Sequence, residues 1–182
     1  MGSLRAAPIL FLRGQLNSPS RERGLGRVQI LGVDDRFWGF SPGSGEAVVL
    51  QSREVAVNDY LAYALDLKED DSVVLRLQEP GMLSRDAPLS GEAEDVISFR
   101  ATVRAVVGDG QFGRFNLQAT QLPVPTVFVP LSRLQQVVDQ PARANLILLG
   151  AGEDGTSFSG DLAGHIIRCL SYKVSKIGDP ET

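Results

Sequence analysis

The chain has 182 residues, 43% of them apolar, and a formal net charge of −4 at pH 7. This length suits one domain or two small lobes, and a chain of this size buries roughly 70% of its unfolded surface. It has no cluster of Lys and Arg that would follow a phosphate backbone, and we expect no nucleic-acid partner. No apolar run reaches the ~20 residues of a membrane helix, and one cysteine, Cys169, can form no internal disulfide.

The N-terminal third predicts three strands. Apolar and β-branched runs cover residues 7–13 ("APILFLR"), 27–33 ("RVQILGV") and 47–51 ("AVVLQ"). A polar, glycine-rich loop is expected over 17–26, between the first two strands.

The middle of the chain predicts a helix followed by two strands. Ser52 is a natural N-cap for a helix that runs to about Leu65. A strand is predicted at 72–78, and at 97–107 apolar and polar residues alternate as in a half-buried antiparallel strand. Between them, residues 80–95 are rich in Pro, Gly and acidic residues and predict a long surface excursion.

The last third predicts two strands around a short helix. The strands are 126–131 ("TVFVPL") and 144–150 ("ANLILLG"), and Ser132 is expected to cap the helix over 132–139. From Asp161 the apolar spacing predicts a second amphipathic helix. The expected division is a core of residues 4–150, as one domain or two small lobes, and a tail of 151–182 that contains this helix. The last residues of the tail, "YKVSKIGDPET", are interpreted as a truncation or a non-native end.

This order of elements has no regular alternation of strand and helix. It predicts an α+β fold: a mixed, mainly antiparallel sheet with a few short helices. A parallel nucleotide-binding fold is disfavoured for the same reason.

One motif has the glycine spacing of a dinucleotide-binding loop. "GDGQFG" places Gly108, Gly110 and Gly113 in a GxGxxG pattern directly after a strand. No helix follows it, because the next segment holds two prolines and no helical stripe. The pattern therefore favours a glycine-rich loop between antiparallel strands over a phosphate cradle.

The sequence also contains a candidate metal site and several acidic clusters. Asp161, His165 and Cys169 are spaced by four and could begin a zinc site, but a fourth ligand is not identifiable and a capping Asp with a core Cys is favoured. The chain has no GxSxG nucleophile elbow. The acidic clusters at 69–71 and 92–95 are typical of solvated turns. We predict no catalytic, cofactor-binding or metal-binding residues and no cofactor.

The segment "DDRFWGF" predicts an aromatic turn. Phe37, Trp38 and Phe40 either close the end of the sheet as core residues, which burial statistics favour, or form an exposed contact surface for a partner.

Five segments follow one another along the chain in an order that is typical of a known family. They are "RVQILGVDDRFW", "EAVVLQSREVAVNDYLAYALDLKEDDSVVLRL", "ISFRATVRAVVGD", "PTVFVPLSRLQQVV" and "ARANLILLG". Together they resemble the extracytoplasmic (periplasmic core) domain of MacB/FtsX-type ABC transporter permeases. The resemblance spans about residues 7–150, although Asp66 and "KEDD" stand where the family usually has Gly in the turn after the helix.

The resemblance implies a MacB-like fold on the extracytoplasmic side of the membrane and no catalytic residues. It also implies membrane helices elsewhere in the natural protein, a cytoplasmic ATPase subunit or domain that hydrolyses ATP, and a cargo or periplasmic partner. "MGS" is typical of a cloning start, so we expect the natural protein to begin earlier.

Two other functions stay open at this stage. One is a stand-alone secreted binding module that uses the aromatic turn at Phe37 to Phe40. The other is an enzyme that binds a phosphate-containing ligand at the Gly108–Gly113 loop.

Overall fold

The computed structural model describes residues 4–41, 48–78, 96–116 and 123–151. Within these ranges the chain forms seven strands and three short helices. The strands are β1 (Leu4–Ser18), β2 (Arg23–Val33), β3 (Glu54–Asn58), β4 (Ser72–Gln78), β5 (Val96–Val107), β6 (Thr126–Pro130) and β7 (Leu146–Ala151). The helices are α1 (Asp35–Trp38), α2 (Asp59–Leu65) and α3 (Leu131–Val137).

Six of the strands close into a barrel. They are hydrogen-bonded in the order β2-β6-β3-β5-β4-β1, and β1 pairs again with β2. The remaining strand, β7, pairs with the first residues of β1. The pairs β2–β6 and β3–β5 are parallel and the other five are antiparallel. The predicted α+β fold with a mixed, mainly antiparallel sheet is confirmed.

Strands β2, β3 and β6 of the barrel bury apolar side chains on both faces. Val55 and Val57 of β3 lie in an interior cluster to which all six barrel strands contribute, while Ala56 between them lies in a second cluster outside the barrel wall. In β6, Val127 and Val129 point inward and Phe128 outward. Burial on both faces explains why these strands are continuous apolar runs and not alternating ones.

Helices α2 and α3 lie at opposite ends of the barrel. They follow β3 and β6, which run antiparallel to each other. Leu61 and Leu65 of α2, and Leu131 and Leu134 of α3, join the interior cluster. Each helix therefore covers one end of the apolar interior, which strands alone would leave open to water.

Two of the predicted boundaries around the first strands are wrong. The loop expected over 17–26 is a hairpin in which β1 and β2 stay paired out to Ser18 and Arg23. The strand expected over 47–51 is absent from the described residues 48–51. Residues 48–51 pair with no strand of the sheet. Val48 and Leu50 instead pack against the outer cluster, which accounts for the apolar character of this run.

Both predicted helix caps are also wrong. Residues 54–58 are strand β3, and Asn58, not Ser52, caps α2 by accepting a hydrogen bond from the Leu61 N–H. Helix α3 begins at Leu131, with Pro130 at the N-cap position and no side-chain cap. A proline suits that position because it has no N–H to satisfy. Ser132 lies exposed in the first turn.

The remaining described strands are confirmed, with β1 and β2 longer than predicted. The excursion expected over 80–95 and the helix expected from Asp161 lie outside the described residues.

Gly14 is the residue that lets β1 fit between its two neighbours. It faces Val28 of β2 and Leu77 of β4 at once, next to an irregularity in the β1–β2 register. A Cβ atom at this position would lie 2.3 Å from the Arg76 carbonyl oxygen and 2.8 Å from the Ile30 Cδ1 atom. Only glycine leaves room for backbone and side chain to approach this closely.

We expect Gly14→Ala to lower the free energy of unfolding by about 3 kcal/mol, because the added methyl group meets a backbone carbonyl that cannot move without breaking the ladder. Urea denaturation measures this loss. Gly26→Ala, in the same hairpin but with open space around its Cβ, is the matched control and should change stability by less than about 0.5 kcal/mol. Equal stability of the two variants would contradict the account.

Arg21 joins the tip of the β1–β2 hairpin to the turn before β4. Its guanidinium lies 3.0 Å from the Asp71 carboxylate and 2.5 Å from that of Asp66. A hydrogen bond from the Lys68 backbone N–H, followed by the one from Arg21, lowers the pKa of Asp71 below its ordinary value. Arg21 and Asp71 keep 25% and 21% of their side-chain surfaces exposed, so solvent weakens the pair.

We expect Arg21→Gln to lower the free energy of unfolding by less than about 1 kcal/mol at pH 7. The pKa of Asp71 is lower in the folded state than in the unfolded state. The Asp71 carboxylate therefore stabilises the fold fully above its unfolded-state pKa, and this stabilisation is lost as the pH falls through its folded-state pKa. The difference between wild type and variant should therefore be constant above about pH 5 and shrink below about pH 4. Denaturation at a series of pH values measures it; a difference that grows on acidification would contradict this assignment.

Candidate functional site

A cleft lies where the parallel strands β2 and β6 end side by side. Val33 and Pro130 are partners at the last position of this pairing, and the chain then turns into α1 on one side and α3 on the other. The cleft between them has a volume of about 350 Å³. It is lined by Val33, Asp34, Asp35, Trp38, Val48, Leu50, Pro130, Leu131, Ser132 and Gln135.

The lining combines apolar side chains with two carboxylates and has no basic residue. Asp34 caps α1 by accepting a hydrogen bond from the Arg36 N–H at 3.1 Å, and its carboxylate lies 2.5 Å from the Arg36 guanidinium. Asp35 is exposed at the mouth. An apolar cleft with a few polar groups at its rim binds a ligand by burial and fixes its orientation by hydrogen bonds. Because Asp34 is already paired with Arg36, Asp35 is the lining carboxylate that would complement a ligand with N–H donors or a positive charge.

Trp38 belongs both to the cleft and to the outer core. It is 6% exposed, and its ring centroid lies 5.2 Å from those of Phe37 and Phe128. Phe37 is fully buried. Phe37 and Trp38 are thus core residues, as burial statistics favour. They lie in the one-turn helix α1. A partner contact through Trp38 stays a prediction, limited to the edge that lines the cleft.

Phe40 has a different environment from the other two aromatic residues of the turn. It is half-buried and covers Gly150 of β7, where an added Cβ would lie 2.6 Å from its ring. The Arg5 guanidinium lies 4.9 Å from its ring centroid and donates a hydrogen bond to the Gly39 carbonyl. These contacts fasten the turn to the β1–β7 pair, and a partner contact through Phe40 also stays a prediction.

The Gly108–Gly113 loop forms a compact turn against the aromatic cluster. The N–H groups of Gln111 and Gly113 both donate to the Gly108 carbonyl, at 3.0 and 2.9 Å, so these two amides are directed into the loop. Phe112, at a φ of 63°, lies 4.8 Å from Phe37 between ring centroids. Gly113 is the glycine that this turn requires, because an added Cβ there would lie 2.7 Å from the Gly108 carbonyl oxygen, whereas Gly108 and Gly110 have open space around theirs. The turn brings Phe112 to the aromatic cluster, which supports the structural interpretation of the motif.

Asn58 connects this loop to the barrel. Its side-chain NH₂ donates to the carbonyls of Gly113 and Val124, both at 2.9 Å, and its oxygen accepts from the N–H groups of Leu61 and Thr126 at 3.1 and 3.0 Å. Asn58 is fully buried, and its four bonds reach three parts of the chain: the start of α2, the glycine-rich loop and residues 124–126. The role of Asn58 is not predictable from the sequence, because nothing in the segment "AVNDYL" separates a buried amide from an ordinary helix cap.

The cleft was also missed. Its residues come from separate parts of the chain, and only the parallel pairing of β2 with β6 brings them together. The one signal in the sequence was that two apolar runs end in polar or turn-forming residues, at Asp34 and at Pro130.

We expect Asn58→Ala to lower the free energy of unfolding by about 3 kcal/mol or more, because the N–H groups of Leu61 and Thr126 and the Gly113 carbonyl lose this buried partner at once. Chemical denaturation measures the loss. The exposed amide Gln51 provides the control, since Gln51→Ala should stay within about 0.5 kcal/mol of wild type. An Asn58→Ala variant as stable as this control would show that water replaces the side chain.

The described residues contain neither a candidate metal site nor a candidate membrane helix. The described ranges hold no group of three or more His, Cys, Asp or Glu side chains close enough to share a metal ion; Asp161, His165 and Cys169 lie outside these ranges. Among the helices in the described ranges, none has the length and apolar character needed to cross a bilayer.

Comparison with solved structures finds a similar fold. The chain superimposes on the periplasmic region of MacB from Actinobacillus actinomycetemcomitans with a TM-score of 0.53 and 12% sequence identity, over 94% of this chain and 66% of that one. The chain therefore has a MacB-like fold and spans just under two thirds of the length of that structure. No protein-family description and no curated protein sequence matches the chain.

Proposed function

We propose that the chain is an extracytoplasmic domain of an ABC transporter permease that works by binding and movement and not by catalysis. In this role it responds to ATP hydrolysis in a cytoplasmic subunit or domain and handles a cargo or a periplasmic partner. The fold shared with the periplasmic region of MacB is the observation that carries the proposal. The ordered sequence segments that resemble this family support it independently.

The cleft at the ends of β2 and β6 is the surface that we propose for the contact. It lies at the point where the chain leaves both strands, so a bound segment would touch α1 and α3 together. Its apolar floor, with Trp38 at the edge and carboxylates at the mouth, suits an extended peptide that carries a basic residue. Movement of either helix relative to the barrel would open or close this contact.

The location proposed for the domain is tested by the natural reading frame. We expect one hydrophobic helix upstream of this segment and three downstream. A complete reading frame without membrane helices would reject the permease assignment and favour the stand-alone binding module.

The role of the cleft is tested in the full-length permease reconstituted with its ATPase. We expect Asp35→Arg to leave basal ATP hydrolysis unchanged and to lower cargo-dependent or partner-dependent stimulation about tenfold, since a repulsive charge at the mouth costs about that much binding. Glu69→Arg makes the same charge change at an exposed residue in the turn before β4 and should have no effect. Equal behaviour of the two variants would remove the cleft from the proposal.

A further inference from the structure

Three neighbouring strands of the barrel wall carry only positive charge. β1, β4 and β5 are adjacent in the sheet and contain five arginines and no Asp or Glu, although the chain as a whole has a net charge of −4. Arg5 is bound to Gly39, and Arg104 lies at the irregularity in the β3–β5 register. The other three are Arg13, Arg76 and Arg100.

These three arginines form a diagonal across the strands, which we call the arginine diagonal. Gln15 of β1 is the register partner of Arg76 in β4, so Arg13 lies two residues along from that partner. Arg76 faces Ser98 of β5, two residues from Arg100. Diagonal neighbours in a sheet are roughly 7 to 8 Å apart, so the three positions span about 15 Å.

All three side chains are exposed on the outer face of the barrel. No ion pair joins them to any carboxylate of the described residues; the four ion pairs found there use Arg21, Arg36 and Arg114. Glu54 borders the face from β3, opposite Thr102, and its carboxylate accepts a hydrogen bond from the Gln51 N–H. The diagonal is therefore a concentrated positive surface on an acidic chain.

We propose that the arginine diagonal binds an anionic phospholipid surface. Guanidinium groups donate several hydrogen bonds to phosphate oxygens, and basic residues close to acidic lipids are attracted to them. A protein partner would require an apolar centre to its interface, whereas the positions between these arginines hold Gln15, Ser98 and a half-buried Val74. β4 is also paired on both sides, so it has no free edge for an added strand.

The net charge of −4 does not oppose this contact at physiological salt. Charges more than about 8 Å from the membrane are largely screened, so the face that approaches the lipid determines the attraction. The proposal does not depend on the permease assignment, because it concerns a surface on the barrel wall and not the cleft.

Co-sedimentation with vesicles tests the proposal on the full chain, since residues 79–95, which join β4 to β5, carry five carboxylates whose charge must be present. We expect binding to vesicles of phosphatidylcholine mixed with phosphatidylglycerol, little binding to phosphatidylcholine alone, and release at about 1 M salt, where the Debye length is ~3 Å. The triple variant R13Q/R76Q/R100Q should bind about a hundredfold more weakly, at roughly fivefold per arginine.

Two control variants separate the diagonal from net charge. R27Q/R53Q/R143Q removes three exposed arginines that lie outside these strands and should bind like wild type, as should R13K/R76K/R100K. Circular dichroism confirms that each variant is folded. The proposal would be overturned if both glutamine variants lost vesicle binding equally, or if the wild-type protein bound neutral vesicles as well as anionic ones. The proposal would also be overturned if the wild type did not bind vesicles but bound polyglutamate, and if the triple variant R13Q/R76Q/R100Q lost that binding. This result would assign the face to an acidic protein.

Discussion

The carboxamide of Asn58 is the interaction on which the rest of the structure depends. A buried amide in an apolar core is costly unless all its polar atoms are bonded. Here its NH₂ group and its oxygen bind four backbone groups, which belong to α2, the glycine-rich loop, the residues just before β6 and the first residue of β6. The same atoms start a helix, align the first residue of β6 beside β3 and hold the glycine-rich loop. Closure of the barrel and placement of the aromatic cluster follow from this one arrangement.

The two ends of β6 have different roles in this account. At its first residue the chain is held by Asn58, and at its last residue, beside the end of β2, the chain opens into the cleft. The aromatic cluster on the outer wall connects both ends, because Phe37 of α1 contacts Phe112 of the glycine-rich loop as well as Phe128 of β6. A rigid barrel with a cleft at one end suits a domain that transmits movement and binds a partner, which is the function that we propose.

Local patterns in the sequence predicted most of the strands and the fold class. The apolar runs that became β2, β4, β5 and β6 were found because burial on one or both faces leaves a mark on residue type. The predictions fail where the pattern depends on distant neighbours. Residues 48–51 are apolar because Val48 and Leu50 cover the outer cluster and not because they form a strand. Val55 to Val57 lie in a predicted helix but form a strand, because β5 and β6 lie on either side. The cleft, the arginine diagonal and the Asn58 bonds all depend on strand register, which no single segment encodes.

Hydrogen exchange of individual backbone amides tests the central claim most directly. If Asn58 holds the end of the barrel that α2 covers, the Leu61 and Thr126 amides that donate to it should exchange only through global unfolding, with the full unfolding free energy. The amide of Ser132 at the cleft should instead exchange through local opening. Exchange of Thr126 as fast as that of Ser132, at a denaturant concentration where the barrel strands stay protected, would contradict the account.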